Sequence, residues 1–259
     1  MTSFIHETAI VSAAARIGIG CHIGPYCVVG ENVALGDGVR LESHIVVDGR
    51  TTIGDGTHVF PFASIGLAPQ DLKYGGEPTT VEIGKRNQIR EFVTVHRGTS
   101  GGGGLTKIGD ENLLMAQAHV AHDCQLGSNI IMANAATLAG HVEIADRASI
   151  GAYSGVHQFC RVGFEAFVGG YSVVVKDAPP FAIIQGNHAK CYGLNRVGVK
   201  RRGYSPETIK DLSHAFHLLL SAKLNTTQAV ERIEEEISGC PEVDILVDFI
   251  KASKRGIVK

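Results

Sequence analysis

Residues 108–132 read IGDENLLMAQAHVAHDCQLGSNIIM, and every sixth position of this stretch, counted from Ile108, carries an aliphatic side chain. The same phase continues to Val174, and earlier runs cover residues 5–65 and 83–95. A period of six matches neither an α-helix nor a flat, alternating strand. It predicts one short strand and one turn per hexad, repeated along the chain. The aliphatic positions are Ile5, Val11, Ile17, Ile23, Val29, Leu35, Leu41, Val47, Ile53, Val59, Ile65, Ile83, Ile89, Val95, Ile108, Leu114, Val120, Leu126, Met132, Leu138, Ile144, Ile150, Val156, Val162, Val168 and Val174.

Two further positions of the hexad agree with such a repeat. The residue two places before each aliphatic position is mostly small or slim, and the residue after it is often glycine. Three hexads would make one triangular coil, which stacks on the next coil by parallel strand pairing. We expect the aliphatic side chain to fill the interior, the small residue to pack beside it and glycine to relieve the corner.

Four of the six cysteines fall on the small position of the hexad. Because a buried free cysteine behaves as a small hydrophobe, we predict that Cys21, Cys27, Cys124 and Cys160 are packing residues and not disulfide partners. Cys191 and Cys240 lie outside the repeat and receive no assignment.

Composition and charge exclude several classes of protein. The chain is 44% hydrophobic and 19% charged, which is typical of a globular protein and not of a disordered one. A net charge of −2 gives no reason to expect nucleic acid as a partner. The first residues have neither a basic nor an apolar segment, and no apolar run approaches the length of a membrane span. We therefore expect a cytoplasmic protein.

The hexad repeat resembles that of the hexapeptide transferases, whose coil is a left-handed parallel β-helix. The resemblance predicts a mainly β fold, with such a β-helix over residues 1–185 and loops inserted near 66–81 and 98–107. Loops extruded from a rigid solenoid often carry specificity, although either could be a tolerated insertion, and the glycine run of the second could be a flexible flap. Helical signals follow from Ser205-Pro206-Glu207, over Thr226–Ser238 and over Pro241–Ser253. They predict a small α-helical C-terminal domain over 186–259.

Histidines concentrate in the last run of the repeat, and none of them occupies the aliphatic position: His119, His122, His141 and His157. With about 18 residues per coil, Asp123 should stack on His141, and His122 on Gly140. A histidine could take a proton from a sugar hydroxyl that attacks a thioester, and the amide of Gly140 could stabilise the oxyanion. Asp123 could orient the base, although adjacent strand residues point to opposite faces. Ordinary surface or interface histidines are the alternative.

A metal centre is the other alternative for these histidines. The γ-class carbonic anhydrases share this kind of coil and hold zinc with three histidines, two of them five residues apart. His119 and His122 are three apart, and no histidine lies five from either. The spacing departs from that pattern, so we predict no metal. We also expect no cofactor.

A series of longer motifs, in order along the chain, is more specific than the hexads. These motifs are residues 69–74 (PQDLKY), 95–99 (VHRGT), 118–124 (AHVAHDC), 138–141 (LAGH), 156–160 (VHQFC), 185–188 (QGNH) and 200–203 (KRRG). Together they resemble the acyl-[acyl-carrier-protein]–UDP-N-acetylglucosamine O-acyltransferases, the first enzymes of lipid A biosynthesis. The resemblance runs nearly end to end. It implies a homotrimer with sites at subunit interfaces and no metal.

The resemblance also implies roles for single residues. His122 matches the general base that deprotonates the glucosamine 3-hydroxyl, Gly140 matches the oxyanion amide, and Gly170 matches the position that limits acyl-chain length. The positions that match contacts to the sugar are Asp71 and Lys73, with Gln70, His119, His141 and His157 nearby. The positions that match contacts to the nucleotide and phosphopantetheine, partly from the neighbouring subunit, are Gln158, His188, Asn195, Arg201 and Arg202.

Two residues depart from the family's pattern. Val197 replaces the usual acidic residue of an Asn-x-Glu motif, which affects how the uridine end is held, and Tyr171 adds bulk beside Gly170. The preferred acyl length therefore stays open. Residues 187–259 carry 12 basic against nine acidic side chains, so this end of the chain could steer acidic acyl carrier protein through Lys200, Arg201, Arg202 and Lys210. A solvated basic helix start is the alternative.

Three other functions are alternatives to an O-acyltransferase that uses acyl carrier protein. A sister acyltransferase would act on a 2-amino group of glucosamine or on another nucleotide sugar, and a short acetyl-CoA transferase would use a different donor. A non-catalytic solenoid scaffold would have no need of His122. The resemblance favours transfer of a (3-hydroxy)acyl chain from acyl carrier protein to UDP-N-acetylglucosamine, and the choice between a 3-hydroxyl and a 3-amino acceptor stays open.

Overall fold

The structure is a computed structural model that describes residues 2–259. Most strands are two residues long, because each hexad supplies one strand and one turn. The strands are β1 (Phe4–Ile5), β2 (Ile10–Val11), β3 (Arg16–Ile17), β4 (His22–Ile23), β5 (Val28–Val29), β6 (Ala34–Leu35), β7 (Arg40–Leu41), β8 (Val46–Val47), β9 (Arg50–Ile53), β10 (His58–Val59), β11 (Ser64–Leu67), β12 (Thr80–Ile83), β13 (Gln88–Ile89), β14 (Thr94–His96), β15 (Leu105–Ile108), β16 (Leu113–Leu114), β17 (His119–Val120), β18 (Gln125–Leu126), β19 (Ile131–Met132), β20 (Thr137–Leu138), β21 (Glu143–Ile144), β22 (Ser149–Ile150), β23 (Gly155–Val156), β24 (Arg161–Val162), β25 (Phe167–Val168), β26 (Val173–Val174), β27 (Ala182–Gln185) and β28 (Lys190–Leu194).

Every third strand pairs in parallel with the next, which produces a prism with three flat faces. The first face runs from β1 through β4 to β25, β27 and β28, the second from β2 to β26, and the third from β3 to β24. Partners such as Phe4 and His22 are separated by one full coil. Only the pair β27–β28 is antiparallel within the described residues. The coil is left-handed, so the predicted fold class is confirmed.

Two loops leave the coil, and the strand register locates them. His58 pairs backwards with Arg40 but forwards with Gln88, so the coil that follows His58 is longer than the one before it. The first loop, residues 68–79, accounts for the difference and lies between β11 and β12. Thr94 pairs with His119, and this coil is also lengthened. Its loop, the second, covers 97–104 between β14 and β15 and includes a short 3₁₀ turn. Both loops overlap the ranges predicted from the sequence, 66–81 and 98–107. The other residues of those ranges belong to strands β11, β12 and β15.

The interior of the prism is filled as the hexads predict. Ile23, Leu41 and Ile65 are fully buried, whereas Ile5 is 46% exposed because no coil covers that end. The cysteines on the small position are buried and free, which confirms their prediction as packing residues: Cys21, Cys27, Cys124 and Cys160. Burial raises the pKa of all four thiols.

The predicted role of glycine at the corners was wrong. The left-handed backbone position is the third residue after the aliphatic one, and it is occupied by glycine at Gly20, Gly38 and Gly56 but by larger residues at Tyr26, His44 and Phe62. Gly18, which follows an aliphatic position, has an ordinary φ; a Cβ there would lie 2.5 Å from the carbonyl carbon of Gly36 in the next coil. Such glycines are required because stacked coils approach closely, and not because the chain turns there.

Four helices follow the coil: α1 (Arg196–Arg201), α2 (Pro206–Leu220), α3 (Thr226–Glu236) and α4 (Pro241–Lys251). Ser205 caps α2 by accepting a hydrogen bond from the Thr208 amide, which confirms the predicted helix start. The sequence did not predict α1, whose six residues include a glycine. None of the helices within residues 2–259 combines the length and apolar character that crossing a bilayer requires.

Candidate active site

His122 and Asp123 occupy a corner between the second and third faces, in the turn that joins β17 to β18. Asp123 has a left-handed backbone, with φ of 60°. The corner turns both side chains to the same side, so that His122 Nδ1 lies 2.8 Å from Asp123 Oδ2. The expectation that these neighbours point to opposite faces was therefore wrong, because it holds for an extended strand and not for a corner.

The Asp123 carboxylate is buried and accepts several hydrogen bonds. Its oxygens accept from the Thr99 amide at 3.0 and 3.1 Å, and Oδ2 also accepts from Thr99 Oγ1 at 2.6 Å. The Asp123 amide donates to Thr106 Oγ1 at 2.8 Å. The hydrogen bonds that the carboxylate accepts from Thr99 and His122 offset the desolvation of a residue that is only 4% exposed. The second loop supplies Thr99, so it is anchored to the site and is not a free flap.

The orientation of His122 follows from its partners. With Nδ1–H donated to Asp123, the lone pair of Nε2 is directed away from the carboxylate, as a general base requires. The ring lies directly over Gly140, where a Cβ would meet His122 Cε1 at 2.5 Å and Nε2 at 2.7 Å. The Gly140 amide has no hydrogen-bond acceptor within residues 2–259. A base and a free amide therefore lie side by side, which suits acyl transfer.

Two further histidines predicted from the sequence lie beside this pair. The His141 ring stacks on Phe159 at 4.3 Å and meets the His122 ring edge-on at 5.0 Å. Burial lowers the pKa of His141, while the carboxylates of Asp123 and Asp71 oppose that shift. His119 Nδ1 lies 2.7 Å from Thr94 Oγ1, and burial lowers the pKa of His119 too.

His96 is a member of this cluster to which the sequence analysis gave no role. It meets His119 edge-on, with ring centroids 5.1 Å apart, and is 6% exposed. Burial, followed by the neighbouring His119 and His122, lowers its pKa to about 4. The signal that could have found it is the coil stacking, since β14, which contains His96, pairs with β17, which contains His119.

The first loop brings the predicted sugar contacts to the same side. Asp71 lies close enough to act on the pKa of His141, and its Oδ1 accepts from the Lys73 amide at 3.0 Å. The side chains of Gln70 and Lys73 are exposed. Arg97 of the second loop donates to Tyr74 Oη at 2.8 Å, so the two loops hold each other.

His157 and Gln158 continue the site by one coil. Both are exposed, and the amide of the next residue, Phe159, donates to the Gly140 carbonyl at 3.2 Å. The structure thus gathers nine predicted residues around one corner: Gln70, Asp71, Lys73, His119, His122, Asp123, Gly140, His141 and His157, with Gln158 beside them.

A second group of predicted residues lies on a different face. Asn195, Arg201 and Arg202 line a groove of about 830 Å³ between α1 and the first face. Asn195 Oδ1 caps α1 by accepting from the Gly198 amide at 3.0 Å. Arg202 Nε lies 3.3 Å from Glu165 Oε2, a carboxylate that is almost fully buried. The floor of the groove is apolar and is lined by Ile131, Phe167 and Ile183.

Gly170 and His188 lie neither at the His122 corner nor in the groove beside α1. Gly170 lies on the corner between the first and second faces, where a Cβ would meet only the Ala152 backbone, at 3.3 Å. His188 is exposed in the turn between β27 and β28. Of the predicted nucleotide and phosphopantetheine contacts, one chain therefore brings Gln158 to the His122 corner but not His188, Asn195, Arg201 or Arg202.

The cluster was also compared with a metal centre. His122, Asp123 and His141 each offer one donor atom, and the three atoms lie within 4.8 Å of one another. However, Asp123 Oδ2 already accepts hydrogen bonds from Thr99 Oγ1 and His122 Nδ1. This arrangement favours an oriented base over a metal ligand, and the absence of a metal stays a prediction.

A left-handed coil of hexapeptide repeats, with an oriented histidine beside a free amide at one corner, defines an acyltransferase of the hexapeptide class. A family model described as UDP-N-acetylglucosamine O-acyltransferase, domain 2, matches residues 177–258. LpxA from Acinetobacter baumannii is 45% identical over 99% of this chain and 100% of its own, with a TM-score of 0.97. The chain belongs to the UDP-N-acetylglucosamine O-acyltransferase family, which confirms the resemblance found in the sequence.

Other solved members show the same agreement over the whole chain. The UDP-N-acetylglucosamine O-acyltransferase (LpxA) of Moraxella catarrhalis is 44% identical over 98% of this chain and 99% of its own, with a TM-score of 0.96. The UDP-N-acetylglucosamine acyltransferase of Arabidopsis is 33% identical over 99% of this chain and 100% of its own, with a TM-score of 0.88.

Proposed function

We propose that this acyltransferase moves a 3-hydroxyacyl chain from acyl carrier protein to the glucosamine 3-hydroxyl of UDP-N-acetylglucosamine, the first step of lipid A biosynthesis. The observation that carries the proposal is the hydrogen bond of 2.8 Å from His122 Nδ1 to Asp123, which leaves Nε2 free beside the Gly140 amide. The names of the solved relatives supply the acceptor.

The reaction needs one base and one oxyanion donor. His122 Nε2 takes the proton of the 3-hydroxyl as its oxygen attacks the thioester carbonyl carbon. The Gly140 N–H donates to the oxyanion that forms. As the intermediate collapses, the carbon–sulfur bond breaks, and the proton passes from the imidazolium of His122 to the departing phosphopantetheine thiolate. A positioned base contributes about 10²–10⁴-fold to rate, and one oxyanion donor about 10²–10³-fold.

Asp123 acts on this reaction through His122. Its carboxylate fixes the tautomer with hydrogen on Nδ1 and stabilises the imidazolium that forms during attack. Asp71 and Lys73 of the first loop, with Gln70, His119, His141 and His157 nearby, hold the sugar. The 3-hydroxyl is placed next to Nε2 by these contacts and not by His122 itself.

Part of the nucleotide and phosphopantetheine contacts comes from a second copy of the chain. Asn195, Arg201 and Arg202 lie on the first face, whereas His122 lies at the opposite corner. When different surfaces of two copies meet, the contact repeats head to tail, and it closes into a ring of three when each copy is rotated by a third of a turn. We propose a cytoplasmic homotrimer, with Gln158, His188 and Gly170 completing each site along the acyl chain and the donor.

The donor is recognised by a basic surface on the C-terminal helices. Lys200 and Lys210 border a groove of about 600 Å³ that also contains the apolar side chain of Ile209. Arg201 and Arg202 extend the positive charge towards the first face. An acidic carrier protein fits such a surface and would associate faster at low ionic strength.

Transfer to purified acceptors tests donor and acceptor together. Wild-type protein is given the same 3-hydroxyacyl group on acyl carrier protein or on coenzyme A, with UDP-N-acetylglucosamine or its 3-amino analogue as acceptor. We expect the carrier-protein donor and the 3-hydroxyl acceptor to give the highest kcat/KM. Preference for coenzyme A, or for the 3-amino sugar, would contradict the proposed donor or acceptor.

Subunit mixing tests the shared site. His122→Ala and Arg201→Ala are each expected to be nearly inactive, and the two are unfolded and refolded together in equal amounts. A site works only when one subunit supplies His122 and its neighbour supplies Arg201, so random assembly should restore about a quarter of wild-type activity. Activity no higher than that of the separate variants would contradict a site built from two copies.

A further inference from the structure

Thr99 of the second loop holds Asp123 at two points. Its amide donates to both carboxylate oxygens, and its hydroxyl donates to Oδ2 at 2.6 Å, the same oxygen that faces His122 Nδ1. Thr99 is 7% exposed, so water does not compete for these bonds. The donors on Asp123 thus come from one residue of an inserted loop and from the histidine that it orients.

The same loop approaches the cluster a second time at Gly102. A Cβ at this position would collide with the Asp123 carboxylate and lie 2.5 Å from His141 Cε1. Gly101, the preceding residue, has no atom within 4 Å of its Cβ position. Neither glycine has a left-handed backbone, so alanine is restricted at Gly102 by contacts alone. The backbone of the second loop therefore packs directly against the side chains of Asp123 and His141.

The loop is in turn fastened to the rest of the fold. Arg97 donates through Nη1 to the Gly66 carbonyl at 2.9 Å and through Nε to Tyr74 of the first loop. Ser100 Oγ donates to Glu77 Oε1 at 3.2 Å. The bonds to Tyr74 and Glu77 join the second loop to the first loop, which contains Asp71. The second loop therefore contacts both Asp123 and the loop that holds the predicted sugar contacts.

We propose that Thr99 is a positioning residue for the general base, which holds Asp123 so that the His122 ring keeps Nδ1–H on the carboxylate and Nε2 towards the acceptor hydroxyl. Thr99 touches no substrate and acts through Asp123. The proposal rests on the proposed function of the same site, and it extends the catalytic arrangement from the corner of the coil to the inserted loop.

Removing the hydroxyl isolates this role. In Thr99→Val the shape of the side chain is kept, but Oδ2 loses its shortest hydrogen bond and can rotate away from His122. Loss of a hydrogen bond to a charged group is expected to lower kcat by about tenfold to a hundredfold. KM for UDP-N-acetylglucosamine should be nearly unchanged. Thr99→Ser keeps the hydroxyl and is expected to retain most of the wild-type kcat.

Two controls separate positioning from general damage. Thr57 is buried and its hydroxyl donates to the Gly84 carbonyl at 3.0 Å, far from the corner. Thr57→Val should lower the melting temperature and leave kcat unchanged. In an Asp123→Ala background, Thr99→Val should cause no further loss, because its effect passes through the missing carboxylate. Additive losses, or a wild-type kcat for Thr99→Val, would overturn the proposal.

The glycine pair repeats the test without removing a hydrogen bond. Gly102→Ala is expected to lower kcat by about tenfold or more by displacing Asp123, whereas Gly101→Ala keeps wild-type kcat. Equal kcat values for the two glycine variants would overturn the claim that contact with the second loop positions Asp123. This test remains available even if Thr99→Val does not fold. Failure of the wild-type protein to transfer acyl groups would instead refute the proposed function, so the two failures are distinguishable.

Discussion

Gly140→Ala is the most informative single substitution at the corner. Carbon atoms in contact are about 3.5–4.0 Å apart, whereas a Cβ at this position would lie 2.5 Å from His122 Cε1. The ring would therefore have to move by about 1 Å, and a misplacement of this size can cost about 10²-fold in rate. Gly140 has an ordinary φ, so the alanine backbone is not strained. We expect kcat to fall about 10²-fold with a small change in KM.

A steric control makes this result interpretable. A Cβ at Gly18 would meet the next coil at the same distance, 2.5 Å, but near the N-terminal end of the prism. Gly18→Ala should lower the melting temperature and preserve kcat. Steady-state transfer and thermal unfolding are measured on both variants. A wild-type kcat for Gly140→Ala, or an equal loss in both variants, would refute the claim that the His122 ring is seated on Gly140.

Three other outcomes follow from the structure. The pKa of His96 is about 4 in the folded protein against 6.5 in the ordinary case. The unfolded chain therefore binds more protons between these pH values, and stability should fall by on the order of 3 kcal/mol as the pH drops through this window. Urea unfolding of His96→Phe should show a flatter dependence on pH, and an unchanged slope would contradict this assignment. Preincubation with a chelator should leave kcat unchanged, because Thr99 and His122 already donate to Asp123 Oδ2; a loss that zinc restores would show a metal site. The buried Cys21, Cys27, Cys124 and Cys160 have raised thiol pKa values, about 12 for Cys124, so thiol reagents near neutral pH should label them only after unfolding.

The sequence predicted the coil because the residue type at each hexad position depends on where its side chain lies in the prism. An aliphatic residue such as Ile23 points inwards in every coil, and a small one such as Cys27 fits beside it, so the period survives any loop length. The reason for the glycines was not predictable in the same way, because close approach between stacked coils depends on residues one full coil away. The corners themselves accept Tyr26 or Phe62 at left-handed φ, which no composition rule indicates.

The catalytic corner was only partly predictable. Stacking of His122 on Gly140 and of Asp123 near His141 follows from the coil length. The phase of the repeat also contained a signal that was missed: Val120 and Leu126 lie in successive strands, so residues 122 and 123 must lie in the turn between them. The contact of Thr99 with Asp123 was not predictable, because the second loop has no period and its backbone geometry decides which side chain reaches the carboxylate.

Acyl transfer by wild type and His122→Ala, side by side, tests the central claim most directly. Labelled 3-hydroxyacyl chains of several lengths are presented on acyl carrier protein with UDP-N-acetylglucosamine as the acceptor. Transfer by the wild-type protein, with a loss of about 10²-fold or more in the variant, is the predicted result for a general base. Equal rates in the two proteins would contradict the role of His122, and no transfer by wild type with any chain would contradict the proposed reaction.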